Sequence, residues 1–188
     1  MKKIGITGSL SSGKTTASKI LSLKRGPLFS ADLEVKKIYK KRSFINLICK
    51  KFSIQARSNI KKTLREKIIK DKLNIKKLEK IIHPIVRKEM WKFIKKHKKK
   101  QMSFFEIPLL IESNLMKKFD IIFFIKANQK NRLKRFKLKG GNKKLFKLLN
   151  NKQLSDMKKV KFCDHVVVND KNKNVLKSKL SYIMRQYE

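Results

Sequence analysis

Short apolar runs alternate along this chain with longer stretches of mixed polarity. Lys3 to Thr7 reads as a buried strand, Leu28 to Ser30 as a second, Met102 to Ile107 as a third and His165 to Val168 as a fifth. Between the last two, Asp120 to Ile125 is an uninterrupted apolar run, as expected of a strand covered on both faces. Lys14 to Leu23 reads as a helix with Ala17, Ile20, Leu21 and Leu23 on its apolar side, ended by Gly26-Pro27. Residues 33–95 contain one proline and no glycine, and Leu73, Ile75, Leu78, Ile81 and Ile82 recur at helical spacing. Pro84 fits the first turn of a new helix, 84–96. Helices are also expected at 128–139, 143–160 and 173–186, with Gly140-Gly141 separating the first two. Strands alternating with helices imply an α/β fold, a doubly wound parallel sheet of five strands. Its core is expected at about 1–32 and 101–188, with a helical insertion at about 33–100.

Composition narrows the function classes. A length of 188 residues fits one domain. Lys and Arg number 52 against 13 Asp and Glu, a net charge of +39. The lysines are spread along the whole chain, beside an excess of Ile, Asn and Phe, so the charge reads as solvated surface rather than a specific nucleic-acid site. Small anionic substrates would still be drawn in by such a field. No zinc-ligand spacing and no aromatic RNA-binding signature occurs. No uncharged apolar run reaches the roughly 18 residues of a membrane span, and the basic start lacks the long apolar stretch of a signal peptide. Cys49 and Cys163 are too few for a disulfide scaffold and read as reduced, structural thiols of a cytoplasmic protein.

The sharpest chemical signal is Gly8-Ser9-Leu10-Ser11-Ser12-Gly13-Lys14-Thr15, which fits G-x-x-x-x-G-K-[ST] with an apolar strand before it and a helix after. Such a loop turns backbone N–H groups inward as an anion nest at a helix N-terminus. The candidate nucleotide-binding residues are therefore Gly8, Ser11, Ser12, Gly13, Lys14, Thr15 and Thr16. Lys14 would reach the β- and γ-phosphates, and the Thr15 hydroxyl would face Mg²⁺. The base-reading Asn-Lys-x-Asp of GTPases is absent, and a motor would need a longer chain. A small-molecule kinase fits both the size and a helical insertion able to cover a second substrate.

Further residues carry a family resemblance. Ser30-Ala31-Asp32 after the second strand resembles the Asp-Ala-Asp of dephospho-coenzyme A kinases. So do Leu64-Arg65-Glu66-Lys67-Ile68, Ile82-His83-Pro84-Ile85-Val86, Glu106-Ile107-Pro108-Leu109-Leu110-Ile111-Glu112 and Cys163-Asp164-His165-Val166-Val167-Val168-Asn169 resemble further segments of those kinases, in the family's order over roughly residues 3–185. The resemblance implies a P-loop NTPase-type fold with a substrate-binding insertion and a lid at about 130–150. It implies ATP and Mg²⁺ as cofactors, dephospho-CoA as the second substrate, and phosphoryl transfer to a ribose 3′-hydroxyl. Asp32 would be the base at that hydroxyl; it also suits the N-cap of a helix starting at Leu33. Glu106 would hold Thr15 or a water on Mg²⁺, and Pro108 would shape the substrate cleft. Arg65 and His83 would lie on the substrate side, Arg132 and Arg135 would clamp ATP from the lid, and Glu112 would hold the insertion. His83 reads equally as a structural hydrogen-bonder, and the arginines as surface cations.

The chain also departs from that pattern. Ser9 and Ser11 stand where the family loop has extra glycines, Ser30 replaces the first Asp, and Lys61 and Lys139 replace common arginines. A serine forced to positive φ costs roughly 1 kcal/mol or more. Two competing functions remain: another nucleoside or nucleotide kinase on the same fold, and a nucleic-acid-binding protein with a vestigial loop.

Overall fold

The computed structural model describes residues 1–55, 59–71 and 73–188, with the side chain of Lys61 outside the description. The chain divides into two units, residues 1–30 with 94–188, and residues 31–93.

The first unit is built on five parallel strands. They are β1 (Lys2–Gly8), β2 (Leu28–Ser30), β3 (Met102–Glu106), β4 (Ile121–Lys126) and β5 (His165–Val168), in the spatial order β2-β3-β1-β4-β5. Register is set by apolar pairs: Ile4 lies beside Phe104 on one side and Ile121 on the other. Every residue of β3 is buried, as are the first five of β4, which explains the unbroken apolar run of β4. Helices α1 (Lys14–Ser22) and α9 (Lys173–Met184) pack on each other, α1 also on β1 and β3, and α9 on β5. Ile4, Ile6, Leu21, Phe104, Phe123, Ile125 and Leu180 form the centre of that core. Because all strands run one way, their C-terminal ends lie on one edge. The order also reverses at β1, which leaves a crevice there for a ligand.

The second unit holds α2 (Ala31–Ile38), α3 (Arg42–Phe52), α4 (Ile60–Lys70) and most of α5 (Leu73–Lys96). Ile38, Phe44, Ile48, Phe52, Leu64 and Ile82 make its own core. Pro84 does not start a helix, contrary to its expected place. It lies inside the 24-residue α5, although its ring removes one backbone bond and costs about 3 kcal/mol. Buried Ile82, with Ile81, Ile85 and Val86 packed beside it, offsets that loss and carries the helix through.

Between β4 and β5 come α6 (Gln129–Leu138), α7 (Lys143–Lys152) and α8 (Asp156–Val160). The helix expected over 143–160 is thus two. The Ser155 hydroxyl accepts from Lys158 N and caps a fresh start, a local bond that competes with helix continuation. Asn128 and Asn142 cap α6 and α7 in the same way.

Candidate active site

The loop between β1 and α1 has the conformation its glycines allow. Gly8 has φ 149° and Gly13 φ 98°. A Cβ on Gly8 would sit 2.2 Å from the Ile125 carbonyl, and one on Gly13 2.2 Å from Asn169 Nδ2, so neither position accepts another residue. The two serines at glycine positions differ. Ser11 lies in the left-handed region at φ 57°, whereas Ser9 is not among the positive-φ residues. Ser11→Gly is therefore expected to relieve about 1 kcal/mol of strain and raise Tm by a few degrees, read by thermal melting. An unchanged or lower Tm would show the loop is unstrained there.

Inside the turn, Lys14 is buried and donates to the carbonyls of Gly8 at 3.2 Å and Ser9 at 2.8 Å. The Ser12 hydroxyl is buried with no hydrogen-bond partner, while its backbone carbonyl accepts from Asn169 Nδ2 at 2.8 Å and Arg135 Nη1 at 3.2 Å. An orphaned hydroxyl and a buried lysine in one loop suit a polyanion that would bond to both. Thr16 lines a groove of about 1010 Å³ along α1 and α9, with Lys19, Lys173 and Lys177 also on its walls.

Beside the loop, Glu106 ends β3 with its carboxylate almost fully buried. Oε1 accepts from Thr15 Oγ1 at 2.5 Å, and Oε2 from Ser30 Oγ at 2.9 Å. The pairing of β2 with β3 sets Ser30 directly opposite Glu106. Hard oxygen donors of this kind fit Mg²⁺, which keeps most of its shell for phosphate and water and needs only one or two protein ligands. Among the described residues no group of three or more His, Cys, Asp or Glu could hold a metal ion. On the same edge, the Thr7 hydroxyl donates to the Pro108 carbonyl at 3.1 Å, tying the turn after β3 to β1.

The two arginines expected in a lid have different positions. Arg135 bridges Ser12 O and, at 2.9 Å, Asn169 O, which places its guanidinium against the phosphate loop. Arg132, expected as a second clamp, is buried instead. Its Nη1 donates to Asn150 Oδ1 at 2.7 Å, and the group lies 5.8 Å from the Phe146 ring centroid, so it joins α6 to α7. Asp170 anchors the start of α6 by accepting from Asn128 N at 2.8 Å, and that amide holds its carboxyl below the usual carboxylate range. This tether is complete above the ordinary carboxylate pKa and is lost as pH falls through the lowered one.

Asp32 does not cap a helix that starts at Leu33. Helix α2 begins at Ala31, so Asp32 stands in its first turn, where a negative charge still suits the dipole. Arg65 is exposed on α4. His83 lines a cavity of about 450 Å³ within the second unit, with Lys76, Lys80, Pro84 and Arg87. Glu112, expected to hold the insertion, pairs instead with Lys159 at 2.7 Å and accepts from Leu154 N at 3.2 Å. Asn169, which closes the Cys163–Asn169 segment but is not among the site residues expected from the sequence, touches the phosphate loop through its bond to Ser12 O. Burial pushes the Cys163 thiol up to about 12, with the Asp164 charge adding, so it stays protonated and is no nucleophile.

A glycine-bounded anion cradle at the switch point of a parallel sheet, with a threonine hydroxyl against a buried carboxylate, defines a P-loop kinase. The comparisons with known proteins narrow the class. A model of the dephospho-CoA kinase family matches residues 2–174. The dephospho-CoA kinase of Bartonella henselae is 30% identical over 190 residues, covering 98% of this chain and 97% of that relative. That of Fusobacterium nucleatum is 33% identical over 174 residues, covering 90% of each. The solved dephospho-CoA kinase from Campylobacter jejuni shares the fold with a TM-score of 0.63 at 22% identity, covering 98% of this chain and 96% of the other. The chain belongs to the dephospho-CoA kinase family. Among its described residues no helix is long and apolar enough to cross a membrane.

Proposed function

We propose that this chain transfers the γ-phosphoryl group of ATP to the ribose 3′-hydroxyl of dephospho-CoA, the last step of coenzyme A synthesis, in the cytoplasm. The observation that carries the reading is the buried, unpartnered Ser12 hydroxyl in the same glycine-bounded loop that buries the Lys14 side chain, in a member of this family. The acceptor oxygen attacks the γ-phosphorus, the bond to the β–γ bridging oxygen breaks, and ADP leaves. Asp32 takes the hydroxyl proton. Loop amides, Lys14 and the Ser12 hydroxyl hold the phosphates, and Arg135 adds charge from the lid side. Thr15 and Glu106 would hold Mg²⁺, which when bound spreads the charge of the transferring group. Pro108, Arg65 and His83 serve the acceptor side, and Arg132 keeps the two lid helices together.

ADP release measured with ATP, Mg²⁺ and dephospho-CoA beside a panel of nucleosides and nucleotides tests the assignment. Saturable turnover is expected with dephospho-CoA; saturation only with a nucleoside overturns the acceptor. Lys14→Ala is expected to lower kcat/KM by about 10²–10³-fold, because it strips a fixed charge from the developing phosphoryl anion.

A further inference from the structure

The segment that leads from α7 to β5 is pinned twice. Lys159, fully buried, bonds Glu112 at 2.7 Å and Gln153 Oε1 at 3.3 Å. Three residues earlier, the Asp156 carboxylate accepts from the Ser9 hydroxyl, whose oxygen lies 2.7 Å from Oδ1 and 2.8 Å from Oδ2. Ser9 is the residue after Gly8 in the phosphate loop, and it is almost fully buried. Its carbonyl also accepts from Lys14 Nζ at 2.8 Å and from Ser12 N at 3.2 Å. One residue therefore joins a carboxylate outside the loop to the lysine and the amide that define the loop's first turn.

A carboxylate beside a polyanion site is electrostatically unfavourable, so its contribution must come through the hydrogen bond it accepts. That bond has an ionised partner and stands among the stronger kinds. We infer that Asp156 is a positioning residue for nucleotide binding. It holds Ser9, and through the Ser9 carbonyl it holds Lys14 and Ser12 in the phosphate-receiving geometry. Nucleotide affinity thereby depends on the segment that follows the lid. The inference rests on the loop binding ATP, as proposed above.

Its test uses the full chain and four variants: Ser9→Ala, Asp156→Ala, their double, and Asp156→Asn. Mg-ATP binding is read by calorimetry, and KM is measured for both substrates. Each alanine variant is expected to weaken Mg-ATP about tenfold. The double variant should be no weaker than the worse single within about twofold, since one bond is lost in all three. Asparagine retains an acceptor oxygen, so Asp156→Asn should recover most of the affinity, and KM for dephospho-CoA should not move. Tighter Mg-ATP binding by Asp156→Asn would overturn the inference, because the carboxylate would then act by repulsion. So would additive effects, or equal shifts in both KM values. Amide exchange at Ser12, measured without nucleotide, should quicken in Ser9→Ala and Asp156→Ala alike. Unchanged exchange refutes the latch itself. Faster exchange in a chain that never binds Mg-ATP would support the latch and refute the nucleotide reading. Should Asp156→Ala melt α8, Ser9→Ala decides the outcome, since it breaks the same bond and leaves that helix intact.

Discussion

Asp32→Asn is expected to lower kcat with dephospho-CoA by about 10²–10⁴-fold, the usual range for losing a positioned general base. Asparagine keeps the shape and can still contact the acceptor hydroxyl, but it cannot take the proton as a carboxylate does. The loss should fall on kcat, with Mg-ATP binding little changed, because on the proposed function the loop, Lys14 and Arg135 hold the phosphates. That signature differs from Lys14→Ala, where the nucleotide side itself is damaged. Stability should change only slightly. Asp32 sits in the first turn of α2, and the dipole interaction lost there is about 0.3–1 kcal/mol. Steady-state kinetics beside a binding isotherm separates these effects. Near-normal turnover by Asp32→Asn would remove it from the chemistry and require another proton acceptor.

The largest stability effect is expected from Glu112→Ala. Lys159 has no solvent exposure, and Glu112 is its ion-pair partner at 2.7 Å. Removing one member of a buried pair leaves an ammonium with neither water nor counter-charge, at a cost of about 3–5 kcal/mol. For a chain of this size the Tm should fall by roughly 10 °C. Lys159→Met should cost less. It takes the buried ammonium away and leaves a carboxylate whose Oε1 still accepts from Leu154 N, although its Oε2 is buried without a partner. An exposed pair supplies the control. Glu34 and Lys37 also lie 2.7 Å apart, yet Lys37 is largely solvated, so Glu34→Ala should cost about 0–1 kcal/mol. Thermal melts of the three variants rank them. A Glu112→Ala loss no greater than that of Glu34→Ala would mean that water reaches Lys159 readily.

Most of the fold is legible in the chain because its signals are local. An unbroken Ile-Ile-Phe-Phe-Ile run is what a strand covered on both faces requires, and β4 is such a strand. The loop Gly8 to Thr15 is recognisable because phosphate recognition by backbone needs consecutive residues. Pro84 misleads for a tertiary reason. Proline opposes a helix interior by a local bond, but burial of Ile82 and its neighbours outweighs that bond. The break at Gln153–Ser155 misleads in the opposite way, since apolar spacing continues across a point where a serine cap restarts the helix.

The chain by itself determines the parallel α/β architecture, the phosphate loop and the family, since each is written in contiguous residues whose local physics admits few alternatives. Tertiary structure alone decides which carboxylate meets which hydroxyl. Ser9 and Asp156 are 147 positions apart, and the Asn169 amide reaches the Ser12 carbonyl 157 positions away. It also decides that Arg135 reaches the loop while Arg132, three residues before it, turns toward α7. Both lie on one helix, and only the packing of α7 against α6 gives the buried Arg132 its partner Asn150. Such contacts depend on where strand ends and helix faces converge in space, and no periodicity along the chain encodes that convergence.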